Sequence, residues 1–118
     1  MTDEFAKMTL REKQEQFTIK VAYLIRWAYD HGYRLTFGDA YRNPKFSKEQ
    51  LGQDKSYFHD WSYHCKRLAI DLNLFKDGKY LTKSKDYKLL ADYWKSIGGS
   101  AGIDWNDGNH FSLFEGKK

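Results

Sequence analysis

The stretch Arg67-Leu-Ala-Ile-Asp-Leu-Asn-Leu-Phe75, followed at once by Lys76-Asp-Gly-Lys79, decides the fold class. Apolar residues alternate through the first piece, which is the period of a strand with one face on a core. Asp77-Gly78 supplies the residue types that a type I′ turn takes at its two central positions, so the chain is expected to fold back there as a hairpin. An antiparallel strand pair is therefore the starting element, and the rest is read outward from it.

Upstream, Thr9-Leu-Arg-Glu12 has the spacing of a capping box, in which threonine and glutamate satisfy free amides at a helix start. Phe17, Val21, Leu24, Ile25 and Ala28 then recur at helical spacing, and His31-Gly32 supplies a terminus. The pattern predicts a helix of about twenty residues. Leu35 and Phe37 alternate as a short strand that ends at Gly38. From Asp39 to Trp61 the chain is polar, aromatic and irregular, with Asn43-Pro44 marking a turn; a loop this long is usually functional or partly helical.

Downstream, Ser84 is expected to cap a second helix with Tyr87, Leu90, Trp94 and Ile97 on one face and Gly98-Gly99 closing it. His110, Phe111, Leu113 and Phe114 fit a last strand. The sum is helix, strand, loop, hairpin, helix, strand: an α+β domain with a small, mostly antiparallel sheet. With 118 residues, 41% apolar and 18% aromatic, one domain over 1–118 with its core at about 8–115 is expected. One proline, no repeats and no low-complexity stretch mark no linker and no second domain.

Other classes are disfavoured by composition. No run approaches the roughly twenty apolar residues needed to span a bilayer, so no membrane insertion is expected. Met1-Thr-Asp-Glu-Phe-Ala-Lys lacks a basic start and an apolar run, which reads as no secretory signal and synthesis in the cytoplasm. The net charge of +4 suits either an ordinary solvated surface or approach to an anionic polymer such as a cell wall. No Lys/Arg run is dense enough for a nucleic-acid tract, although the aromatic loop leaves single-strand binding open. A lone cysteine, Cys65, excludes an intramolecular disulfide.

Two short pieces carry chemistry. His64 and Asp71 are seven residues apart, suited to ligands converging from a loop and a strand. Asp71 sits between Ile70 and Leu72, where a carboxylate is costly unless paired or metal-bound; a salt bridge to Arg67 or Lys66 is the alternative. His110 follows Asp107 by three residues, and Asp107-Gly108 reads equally as a simple turn with His110 an edge residue. Two imidazoles and a carboxylate with an open fourth position form the arrangement of catalytic zinc, and a nearby carboxylate can move the proton of an activated water. A small zinc hydrolase with one zinc per chain is the expectation.

Ser62-x-His64-x-x-x-x-Ala69-x-Asp71 with Asp107-x-x-His110 resembles the VanY-type D-Ala-D-Ala carboxypeptidase family of metallopeptidases, and within it the phage L-alanyl-D-glutamate endopeptidases. The similarity runs from about Arg34 to Phe111 and includes Tyr41-Arg42-Asn43-Pro44 and the Trp105-to-Phe111 end. It implies a hedgehog/D-Ala-D-Ala peptidase-like fold with His64, Asp71 and His110 as zinc ligands. It makes Asp107 the general base and Arg42 a group that binds substrate or steadies the oxyanion; a solvated loop arginine is the alternative for Arg42. Arg67 stands where many relatives have glycine, though the endopeptidase branch often has a larger residue there, and Asp107 replaces the glutamate of the dipeptidase branch, which favours the endopeptidase assignment.

The activity implied is cleavage of peptidoglycan stem peptides at the L-Ala–D-Glu bond during phage lysis. The enzyme would be a monomer reaching the periplasm and wall from the host cytoplasm with the help of a holin-type partner. A D-Ala-D-Ala carboxypeptidase and a non-catalytic wall-peptide-binding module are the alternatives. Among other residues, Cys65 on extended backbone points away from His64 and reads as a packed or semi-exposed thiol, and His59 reads as a surface residue, with a replacement ligand or a substrate contact as its alternatives. Asp104 competes with Asp107 as base, and Tyr41, Trp61 and Trp105 are candidates to wall a cleft or simply to fill the core.

Overall fold

The computed structural model of the chain describes residues 7–40 and 67–113. Helix α1 (Leu10–Asp30) begins at Thr9, whose Oγ1 accepts the Glu12 N–H at 3.1 Å while Glu12 Oε1 accepts the Thr9 N–H at 2.8 Å. That reciprocal pair is the capping box, worth about 1 kcal/mol. The helix buries Phe17, Val21, Leu24 and Ala28, the stripe its spacing predicts, with Ile25 partly buried. It closes at His31, and Gly32 (φ +89°) turns the chain into β1 (Tyr33–Phe37).

Strand β2 (Ala69–Lys76) is the axis of the sheet. On one edge it pairs with β1, Phe37 opposite Leu72 and Tyr33 opposite Lys76. The other edge is shared by β3 (Lys79–Leu81) and β5 (His110–Ser112), and β5 in turn carries the two-residue β4 (Ser100–Ala101). All four pairings are antiparallel. The β2–β3 turn has positive φ at both Asp77 (52°) and Gly78 (80°), as type I′ requires.

Helix α2 (Lys88–Ser96) follows a 3-10 helix at Ser84–Tyr87. Here the structure corrects the sequence. Ser84 does not cap the helix; its hydroxyl accepts the backbone N–H of Gly108 at 2.9 Å, and the Lys83 N–H is taken by Asp86 Oδ2 at 3.1 Å. The buried face is nonetheless the predicted one, with Tyr87, Leu90 and Trp94 inside and Ile97 at its margin. Strand β4 and the 3-10 helix Gly102–Trp105 have no counterpart in the sequence reading.

Both helices contribute to one core with the Ile70, Leu72 and Leu74 face of β2, so the described residues form a single α+β domain of two helices and a five-stranded sheet. Burying each of these aliphatic side chains contributes about 2 kcal/mol. Trp94 is central: Phe17 and Phe111 meet its ring edge to face, and Nε1 donates to Ser112 O at 2.8 Å. Satisfying the indole N–H lets so large a side chain be fully buried. No helix among the described residues is long and apolar enough to cross a membrane. Phe114 lies outside the described residues.

Candidate functional site

Since side chains alternate along a strand, Ile70, Leu72 and Leu74 face the helices and Asp71, Asn73 and Phe75 share the opposite face. Asp71 is registered against His110 of β5. Its backbone, however, bonds away from β5: Asp71 N donates to Asp39 O at 2.8 Å and Asp71 O accepts from Gly38 N at 2.7 Å. The His110 N–H goes to Asp107 O at 3.0 Å. The two residues thus form a non-hydrogen-bonded antiparallel pair, the kind in which side chains come closest. Gly38 lets β1 approach, since a Cβ there would lie 3.0 Å from Asp71 Cβ.

The result is an imidazole and a carboxylate facing each other, His110 Nδ1 3.6 Å from Asp71 Oδ1, with side chains 10% and 19% exposed. Oδ1 itself is shut off from solvent. A separation of 3.6 Å is longer than a hydrogen bond. Two ligand atoms each about 2.0–2.1 Å from a tetrahedral zinc stand roughly 3.4 Å apart, so this spacing fits two corners of such a site. The donor types, imidazole nitrogen and carboxylate oxygen, are ones that zinc accepts. Among the described residues no group of three His, Cys, Asp or Glu could hold a metal ion. His64, with Arg42, lies outside the described residues, as do Tyr41, His59, Trp61, Cys65 and Lys66.

Asp107 is exposed and fixed through its backbone. Its N–H donates to Gly102 O at 2.7 Å and its carbonyl accepts from His110, closing a four-residue turn. Gly102 must be glycine for this packing, because a Cβ would fall 2.1 Å from Asp107 O and 2.7 Å from His110 Cβ. The turn that the sequence offered as an alternative to chemistry at Asp107 is thus real, and it ties the Asp107 backbone to that of His110. Asp104 is engaged with Lys95 at 2.8 Å, and Trp105 stands edge-on to the His110 ring, centroids 5.6 Å apart.

Sequence reasoning missed two polar neighbours on the same face, Asn73 and Asn109, whose side chains meet at 3.5 Å. Strict alternation from Asp71 would have placed Asn73 there. It also missed the Ser84–Gly108 contact that seats the Asp107 turn, which carries no local signal. No family model matches the chain, and no curated protein matches it.

Proposed function

We propose that the chain is a zinc-dependent peptidase that cuts peptidoglycan stem peptides at the L-Ala–D-Glu bond, serving phage-induced lysis. Its support is the resemblance to the phage endopeptidase branch of the VanY-type family together with one observation, the 3.6 Å approach of Asp71 Oδ1 and His110 Nδ1 with Asp107 held one turn away. Asp71, His110 and His64 would hold the ion. When bound, zinc lowers the pKa of a water and polarises the scissile carbonyl. Asp107 accepts the proton of the attacking water and returns it to the leaving nitrogen, so that the C–N bond breaks to a carboxylate and a free amine. Arg42, permanently charged and fork-shaped, holds a substrate carboxylate or the developing oxyanion.

The test is mass spectrometry of purified peptidoglycan digested by the protein, with metal analysis of the same sample. Expected are about one zinc per chain, new amino termini on D-Glu, and an Asp107→Ala variant that keeps its zinc and loses turnover. Release of D-Ala alone would make the chain a carboxypeptidase. Retention of stem peptides without cleavage by the zinc-loaded protein would make it a binding module.

A further inference from the structure

Asn73 lies two residues beyond Asp71 on β2 and on the same face of the sheet. Its carboxamide joins three elements. Nδ2 donates to Thr36 Oγ1 of β1 at 3.4 Å, and Oδ1 accepts from Asn109 Nδ2, in the turn before β5, at 3.5 Å. Both contacts sit at the long limit of hydrogen bonding, so exchanging them for a ligand sacrifices little. The Asn109 backbone is fixed, its carbonyl accepting the Leu72 N–H at 2.9 Å, and it directly precedes His110. Thr36 is exposed while Asn73 and Asn109 are half-buried, so the row leads from solvent to the Asp71–His110 pair.

A carboxamide carries two N–H donors and two acceptor lone pairs. The two contacts use one of each, leaving Asn73 one donor and one acceptor, the complement of the C=O and N–H of a peptide unit. The row itself contains no charged group, which suits a neutral amide rather than a carboxylate. Two residues along a strand span about 6.6–6.8 Å, close to the reach of two extended residues of a substrate.

We propose that Asn73 and Asn109 form a carboxamide subsite that grips the backbone of the stem peptide next to the scissile bond. This rests on the peptidase reading above and adds the residues that position its substrate. The test measures cleavage of a purified soluble disaccharide-tetrapeptide by the zinc-loaded parent, Asn73→Ala and Asn109→Ala, with zinc content and melting temperature recorded for each. Expected for Asn73→Ala is a rise in KM of about tenfold that exceeds any fall in kcat, with zinc content equal to that of the parent. If Asn73→Ala folds poorly, Asn73→Thr, a good strand former, takes its place and should show the same KM shift. Variants that cleave with the parent's KM overturn the subsite and leave the peptidase reading standing. A parent with neither zinc nor cleavage overturns both.

Discussion

Gly108 and Ser84, 24 residues apart, are locked together: the glycine N–H donates to Ser84 Oγ at 2.9 Å. A Cβ on Gly108 would lie 2.6 Å from Ser84 Cα, so the contact is one of backbone against backbone as well. This anchor seats the turn that carries Asp107. Ser84→Ala should lower stability by about 1 kcal/mol, the worth of one such hydrogen bond. On the proposed peptidase reading it should also reduce turnover by loosening Asp107, yet leave zinc content intact, because Asp71 and His110 are placed by the β2–β5 pairing. Denaturant unfolding, metal analysis and turnover on one sample check this. Unchanged turnover beside lost stability would confine Ser84 to a structural part.

The same contact shows where sequence reasoning stops. Helix α1 and the Asp77-Gly78 hairpin were legible because each is determined by residues within one turn of itself: Thr9 with Glu12, Asp77 with Gly78. Ser84 was misread because its hydroxyl serves a partner distant in sequence, and local cap chemistry does not reveal such competition. At the site, Asp71, Asp107 and His110 stood out by residue type and spacing. Their juxtaposition depends on the β2–β5 register and on close approaches at Gly38 and Gly102, which only the folded chain exhibits. Strand β4, two residues long, is too short for any periodicity.

Arg67 adopts φ +60° immediately before β2, a left-handed conformation that costs a residue with a Cβ about 1 kcal/mol or more. Comparing Arg67→Gly with Arg67→Ala isolates the backbone, since both remove everything beyond Cβ and differ only in that atom. The glycine variant should be the more stable by about 1 kcal/mol, although glycine is ordinarily the more costly residue to order. Equal melting of the two would show that the left-handed turn relaxes at no cost.

Tyr87 ties β2 to β3 from the start of α2: its Oη accepts the Leu74 N–H at 3.1 Å and donates to Leu81 O at 3.3 Å. Tyr87→Phe leaves the buried Leu74 amide without that acceptor and should cost about 1–3 kcal/mol. Burial pushes the phenol above its ordinary value of 10.0, with the Leu74 hydrogen bond pulling the other way. A raised folded value means the native state retains a proton that the unfolded chain releases. Its stabilisation is therefore complete below about pH 10 and is lost as pH rises through the folded value. Alkaline unfolding should accordingly be steeper for the parent than for Tyr87→Phe, as measured by denaturation midpoints on either side of pH 10; parallel slopes would contradict the assignment.

Metal loading offers a test that needs no substrate. Ligand binding to the native state alone stabilises it by about 2.7 kcal/mol at a hundredfold excess over the dissociation constant. Because the Asp71 and His110 side chains already face each other across paired strands, the apo protein should keep its fold and melt lower than the zinc-loaded one. His110→Ala removes one donor, and Asp71→Asn keeps the shape of the carboxylate but not its charge. In both, melting should become insensitive to added zinc or chelator, whereas Asp107→Ala should respond as the parent does. A parent whose melting ignores zinc and chelator alike would take the ion out of the site and reduce the Asp71–His110 pair to a cross-strand contact.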